Sequence, residues 1–102
     1  MTSSYVYTLK KTSKPEVVKK AAGKIKISWD NIKGETGYQI SRSSKKTSGY
    51  TVIKTVKNAD AKSITLEAKQ NKVYYYRVRS YKTVDGKKVY GPWSEPVKYA
   101  LK

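Results

Sequence analysis

The sequence predicts an all-β sandwich in which two antiparallel sheets each bury one face. Short apolar stretches alternate with period two, and clusters of Gly, Asn, Asp, Ser and Lys separate them. No 3.6-residue apolar stripe persists over three turns, so a helix of any length is not expected. About seven such strands can be counted along the 102 residues, a number that suits two packed sheets. A small closed barrel satisfies the same alternation.

Residues 1–14 mix Ser, Thr, Tyr and Lys, with Tyr5, Tyr7 and Leu9 in phase. Too few apolar positions recur there to set a register, so this stretch is expected to be a linker or the tail of a preceding module. Pro15 marks the start of the domain, assigned to residues 15–102. In residues 24–30, Ile25, Ile27 and Trp29 share one face, while Lys24, Lys26 and Ser28 share the other. Gly34 and Gly37 mark a loop, and Tyr38, Gln39, Ile40, Ser41 and Arg42 alternate again. After a polar turn over residues 43–49, Tyr50, Val52, Ile53 and Val56 are candidates for burial. Ile64 and Leu66 flank Thr65 in another short strand. Residues 73–81 hold the longest β signal, with Tyr74, Tyr76 and Val78 alternating against Tyr75, Arg77 and Arg79. Asp85-Gly86 is a hairpin turn signal. A last strand falls within residues 96–101, where Val97, Tyr99 and Leu101 are in phase.

Composition narrows the chemistry. There are 23 Lys plus Arg against 7 Asp plus Glu, a formal net charge of +16, and neither Cys nor His. Disulfides, thiolate metal sites and a cysteine nucleophile are therefore excluded. The usual general base and the commonest transition-metal ligand are missing as well. Apolar residues make up 37%, enough for a core that must lean on Tyr, Ile and Val because Phe is absent. No apolar run approaches the ~18 residues that span a bilayer, so membrane insertion is not expected. No leader-like segment opens the chain, which is consistent with a module excised from a longer protein.

The order Pro15, Trp29, Gly37-Tyr38-Gln39-Ile40, Leu66, Tyr74-Tyr75-Tyr76-Arg77-Val78-Arg79 and Gly91-Pro92-Trp93-Ser94 resembles a fibronectin type III domain. The resemblance covers residues 15–101. It implies an immunoglobulin-like two-sheet sandwich of about seven antiparallel strands, with Trp29 as the central indole. Tyr38, Ile40, Leu66, Tyr76 and Val78 would pack around that indole. Tyr74 falls where such sandwiches place a tyrosine corner, its hydroxyl bonded to the turn at residues 68–70. Loss of that bond would cost about 1–3 kcal/mol. The lysine-rich style of residues 86–91 is similar to modules of secreted and wall-attached proteins of Gram-positive bacteria, which implies an extracellular or wall-attached location.

No catalytic constellation emerges. Ser43 and Lys46 stand in Ser-x-x-Lys spacing, but in a polar loop rather than on a helix. The seven carboxylates do not converge as calcium ligands do, and no glycine loop precedes a helix to cradle phosphate. No cofactor or metal is expected, and the chain reads as non-catalytic.

Tyr75, Arg77, Arg79, Tyr81, Tyr90 and Trp93 are the candidate ligand-binding residues. Aromatic and guanidinium groups interleaved on a sheet suit a sugar ring or single-stranded nucleic acid. The resemblance implies another use, in which Trp93 stacks on Arg77 or Arg79 as an internal cation–π ladder. Lysine is spread over the loops, as at Lys10-Lys11, Lys19-Lys20, Lys45-Lys46 and Lys87-Lys88. That spread gives solubility and salt-sensitive attraction to polyanions rather than base reading, so a specific nucleic-acid partner is not expected. The expected role is a monomeric spacer or interaction module of an exported surface protein. Its partners would be neighbouring modules and anionic wall polymers or glycans. The alternatives are a carbohydrate- or wall-polymer-binding module, including one accessory to a polysaccharide-degrading enzyme, and a nucleic-acid-binding protein.

Overall fold

The alternating stretches become eight antiparallel strands in the computed structural model, which describes residues 11–32 and 34–102. They are β1 (Glu16–Ala21), β2 (Lys24–Ser28), β3 (Gly37–Ser43), β4 (Thr51–Val56), β5 (Ser63–Glu67), β6 (Val73–Val84), β7 (Lys87–Tyr90) and β8 (Val97–Ala100). One sheet has the order β1-β2-β5. The other runs β4-β3-β6-β7, with β8 also paired to β6. Two separate sheets make a sandwich, not a closed barrel, and no helix occurs among the described residues.

The strand beyond the expected seven follows from the length of β6. β8 pairs with its first part, Val73 to Tyr76, and β7 with its last, Tyr81 to Val84. Because β3 spans Tyr75 to Tyr81 along one edge of β6, β7 and β8 share the opposite edge. Pro92 and Pro96 lie between them and carry no N–H for a ladder, which splits the strand. The Gly91 and Ser94 amides still donate to the Ser80 and Val78 carbonyls, at 2.9 and 2.8 Å. At the hairpin, Asp85 and Gly86 both take positive φ, 52° and 78°, as a tight two-residue turn requires.

The inward phases of the two sheets meet in a core of Val17, Ile25, Ile27, Trp29, Tyr38, Ile40, Tyr74, Tyr76, Val78 and Leu101. Leu66 and Ile64 pack against it from the edge strand β5. The Trp29 and Tyr38 rings sit 5.3 Å apart at 47°. The Tyr38 hydroxyl accepts from the Ile32 amide at 2.7 Å, which ties the loop before β3 to the core. Burial pushes the Tyr38 phenol above its ordinary pKa, and the Ile32 hydrogen bond opposes that shift.

Several expectations need correction. Val52 is 41% exposed, because β3 and β4 slip register between Ile40 and Ser41 and the bulge reverses the phase. Tyr74 is buried, but its hydroxyl makes no hydrogen bond to residues 68–70 or to any other described residue. The turn is held by other groups. The Arg42 guanidinium covers the Tyr74 ring at 4.4 Å and donates from Nη1 to the Glu67 carbonyl at 3.1 Å. The Ala68 amide donates to the Gly23 carbonyl at 3.0 Å. The turn itself is closed at Asn71, which takes a φ of 59°.

Residues 1–10, with Tyr5, Tyr7 and Leu9, lie outside the described residues. Residues 11–14, expected to belong to the linker, pack on the domain. Thr12 is buried, Ser13 Oγ donates to Asp30 Oδ2 at 3.0 Å, and Lys11 pairs with Glu95 at 3.1 Å.

Candidate functional site

Antiparallel register places the outward residues of β6 beside those of β3. Arg79 lies across from Gln39, Arg77 from Ser41 and Tyr75 from Ser43. These β3 side chains would be exposed on a bare sheet. Instead Gln39, Ser41 and Ser43 are all buried, because a second layer of side chains lies over them.

That layer is a five-member stack. The Arg77 guanidinium lies 3.7 Å from the Tyr50 ring centroid and 5.0 Å from that of Trp93. The Arg79 guanidinium lies 4.3 Å from Trp93 and 3.8 Å from Tyr90. The order is therefore Tyr50, Arg77, Trp93, Arg79, Tyr90. Each contact is worth about 0.5–1 kcal/mol, and more where water is excluded. Gln39 Oε1 accepts from Arg79 Nε at 3.1 Å and from Nη2 at 2.8 Å, while Gln39 Nε2 donates to Thr55 Oγ1 at 3.2 Å. Arg79 is thus stacked on both faces and hydrogen-bonded along one edge. Burial lowers its pKa, with Tyr90 acting in the opposite direction. It stays charged at neutral pH all the same, since a guanidinium is not deprotonated in proteins.

The split edge of the sheet positions Trp93. Ser94 Oγ accepts from the Val78 amide at 3.0 Å and donates to the Glu95 carbonyl at 3.1 Å. With the Ser94 amide on the Val78 carbonyl, this clamps the segment against β6 and lays the indole between two arginines. Serine suits the position because its short hydroxyl replaces a missing ladder bond.

The six candidate residues separate in the structure. Arg77, Arg79, Trp93 and Tyr90 join the stack. Tyr75 is half-buried on the same face and outside it. Tyr81, which shares the outward phase, is 2% exposed and presents no ring to solvent. Its burial depends on Gly37 directly opposite, where a Cβ would overlap the Val56 carbonyl oxygen and meet the Tyr81 hydroxyl at 2.9 Å. The Tyr90 ring covers Tyr81 from the other side, at a 6.3 Å centroid separation. Tyr50 is the rung that sequence reading missed. The sequence marks it as a candidate for burial, and the polar turn that ends at it is its local signal. Burial raises its phenol pKa, opposed by Arg77.

The Ser-x-x-Lys pair is also accounted for. Ser43 Oγ accepts from the Lys45 amide at 2.9 Å and donates to the Ser48 carbonyl, so the hydroxyl builds a turn. Among the described residues no cluster of three or more carboxylates gathers as a metal site.

No protein-family model matches the sequence, and no curated protein matches it. Solved structures do. A structure of the FN1–FN3 segment of chicken CNTN1 is similar at a TM-score of 0.72 and 25% identity, over 91% of this chain and 31% of that one. This chain therefore spans about a third of that three-domain segment. The sixth fibronectin type III domain of human fibronectin type III domain containing protein 3 gives 0.71 and 19%, covering 96% of this chain and 90% of that one. A Fn3-like protein from Clostridium thermocellum gives 0.62 and 20%, covering 81% and 86%. The fold is that of a fibronectin type III domain, a fold that commonly serves as a non-catalytic module.

Proposed function

We propose that this chain is a non-catalytic spacer or interaction module of a larger exported bacterial surface protein. Its lysine coat would draw it to anionic wall polymers. The observation that carries the reading is the stack over β6. Its two arginines already face aromatic rings, and Gln39 takes the Arg79 edge, so the surface that most resembles a binding site is occupied by its own side chains. Around it, scattered lysine charge within a net +16 attracts polyanions without selecting among them. The similarity to a single module of a three-domain segment, and to a bacterial Fn3-like protein, supports the modular part of the proposal.

A second reading, carbohydrate binding, is favoured by Tyr90, which ends the stack with 42% of its surface exposed, and by the half-buried Tyr75 nearby. Retention on purified wall, teichoic acid, neutral glycan and single-stranded DNA at about 0.15 M and 0.5 M salt separates the two, because ionic binding weakens steeply with salt. The spacer reading expects weak retention on all three anionic matrices that collapses at the higher salt, and none on neutral glycan. Retention on neutral glycan that survives high salt overturns it.

A further inference from the structure

At one end of the sandwich, where the turn after β1 and the turn after β5 meet the ends of β3 and β6, lies an open cavity of about 300 Å³. It is lined by Gly23, Arg42, Glu67, Ala68, Lys69 and Tyr74. We propose that this cavity is a binding site for a phosphate group, held by Arg42 and Lys69 with Lys72 beside them. The proposal is independent of the spacer reading, since a local anion site can exist on a module of any role.

Charge is the first support. The Arg42 guanidinium and the Lys72 ammonium share one ring, 4.4 and 5.3 Å from the Tyr74 centroid. Two cations gathered on one small neutral surface repel each other, and Lys69 adds a third at the cavity wall. Among the described residues no carboxylate reaches any of the three within ion-pair distance. Glu67 touches the cavity, but its carbonyl is the group that meets Arg42. Its carboxylate belongs to the exposed phase of β5, across from Lys24. An anion seated in the cavity relieves a repulsion that the chain leaves uncompensated.

Donor capacity is the second. Guanidinium carries five N–H donors in a fixed fork that matches the spacing of phosphate oxygens. Arg42 gives one to the Glu67 carbonyl and lies near the Tyr76 hydroxyl, whose ionisation it favours. Donors beyond these remain on a side chain that lines the cavity, and Lys69 lines the same space. Shape is the third support, because Gly23 contributes no side chain and leaves the opening clear. Arg42 lies in the inward phase of β3 with Tyr38 and Ile40, at the strand end where the sheets part, which is why its head group reaches this space instead of the outer face.

The test is a titration of the protein with inorganic phosphate against chloride at constant ionic strength, followed by backbone amide NMR. Saturable shifts confined to Gly23, Ala68, Lys69 and their neighbours are expected. K69A/K72A should weaken the apparent affinity about tenfold, and Arg42→Lys, which keeps the charge but loses the fork, by several-fold. K87A/K88A removes the same charge at the far hairpin and should leave the affinity within about twofold. Shifts that do not saturate, or equal weakening by K87A/K88A, overturn the site in favour of a general ionic atmosphere. A parallel titration with poly(glycerol phosphate) identifies the source. The same localised shifts mean that chain-borne phosphate is taken, and their absence beside a positive inorganic arm means that free phosphate is.

Discussion

An arginine lies over a tyrosine in two regions of this molecule, with opposite consequences. On the outer face of the larger sheet, Arg79 covers Tyr90 at 3.8 Å, is covered in turn by Trp93, and gives two N–H groups to Gln39. At the end of the sandwich, Arg42 covers Tyr74 at 4.4 Å, gives one N–H to the Glu67 carbonyl, and otherwise borders an open cavity. The residue types are the same, but the neighbours differ. Arg79 projects from a central strand, where adjacent strands supply a partner on every side. Arg42 projects from a strand end, where the sheets separate and partners run out. An Arg–aromatic pair is therefore structural where its donors are consumed, and available to a ligand where they are not.

Removing the middle rung gives the largest expected effect on that comparison. Trp93→Ala deletes two cation–π contacts and a half-buried indole, and should cost about 2–4 kcal/mol, or roughly 10–20 °C in melting temperature. Thermal melting alongside the retention assay checks it: retention on teichoic acid should not change at a temperature where the variant is folded. Lost retention without lost stability would show that the stack meets a ligand. Gly37→Ala comes next. Its Cβ collides with the Val56 carbonyl and the Tyr81 ring beneath the end of the stack, for an expected loss of about 1–3 kcal/mol by denaturant titration.

Alkaline pH probes both regions more gently. Burial raises the phenol pKa of Tyr50, a rung of the stack, and of Tyr76, which lies near Arg42. Between the unfolded pKa, about 10, and the raised folded value, the unfolded chain has lost protons that the folded chain retains. The stability conferred by these phenols is thus complete below about pH 10 and falls as pH rises above it. Tyr76→Phe should make the decline in urea midpoint above pH 10 shallower than in the wild type; an unchanged slope would count against the burial argument. The smallest effect belongs to Tyr74→Phe. The hydroxyl makes no hydrogen bond among the described residues, so its removal should shift stability by no more than about 0.5 kcal/mol, against the 1–3 kcal/mol expected of a tyrosine corner. A loss in the larger range would restore the corner and weaken the case that Arg42 and the backbone hold that turn.

Much of this architecture was readable from alternation. Ile25, Ile27 and Trp29, Tyr38 and Ile40, and Tyr76 and Val78 each lie on the face that their spacing assigns, because period two is a property of the extended backbone itself. The Asp85-Gly86 turn was legible for a similar local reason, as few residue pairs tolerate two positive φ values. Legibility failed where the outcome depended on a residue in another strand. Val52 follows its alternation until a bulge opposite Ile40 and Ser41 reverses the phase. Tyr81 keeps the outward phase and is buried because glycine faces it across the sheet. Tyr50 becomes a rung only once β4 is docked beside β3 and Arg77 extends across the face.

Composition and spacing by themselves determined that this protein is all-β with a tyrosine-rich core, a strongly cationic surface and none of the histidine or cysteine that most catalysis uses, while the separate sheets that make it a sandwich rather than a barrel came from the pairing of distant strands. Those properties follow from local backbone geometry and from counting. Only the tertiary structure decided which arginines are consumed and which remain open. A guanidinium's five donors are satisfied by groups on other strands, and where those groups lie is decided by register, bulges and the parting of the sheets, not by the identity of the residue.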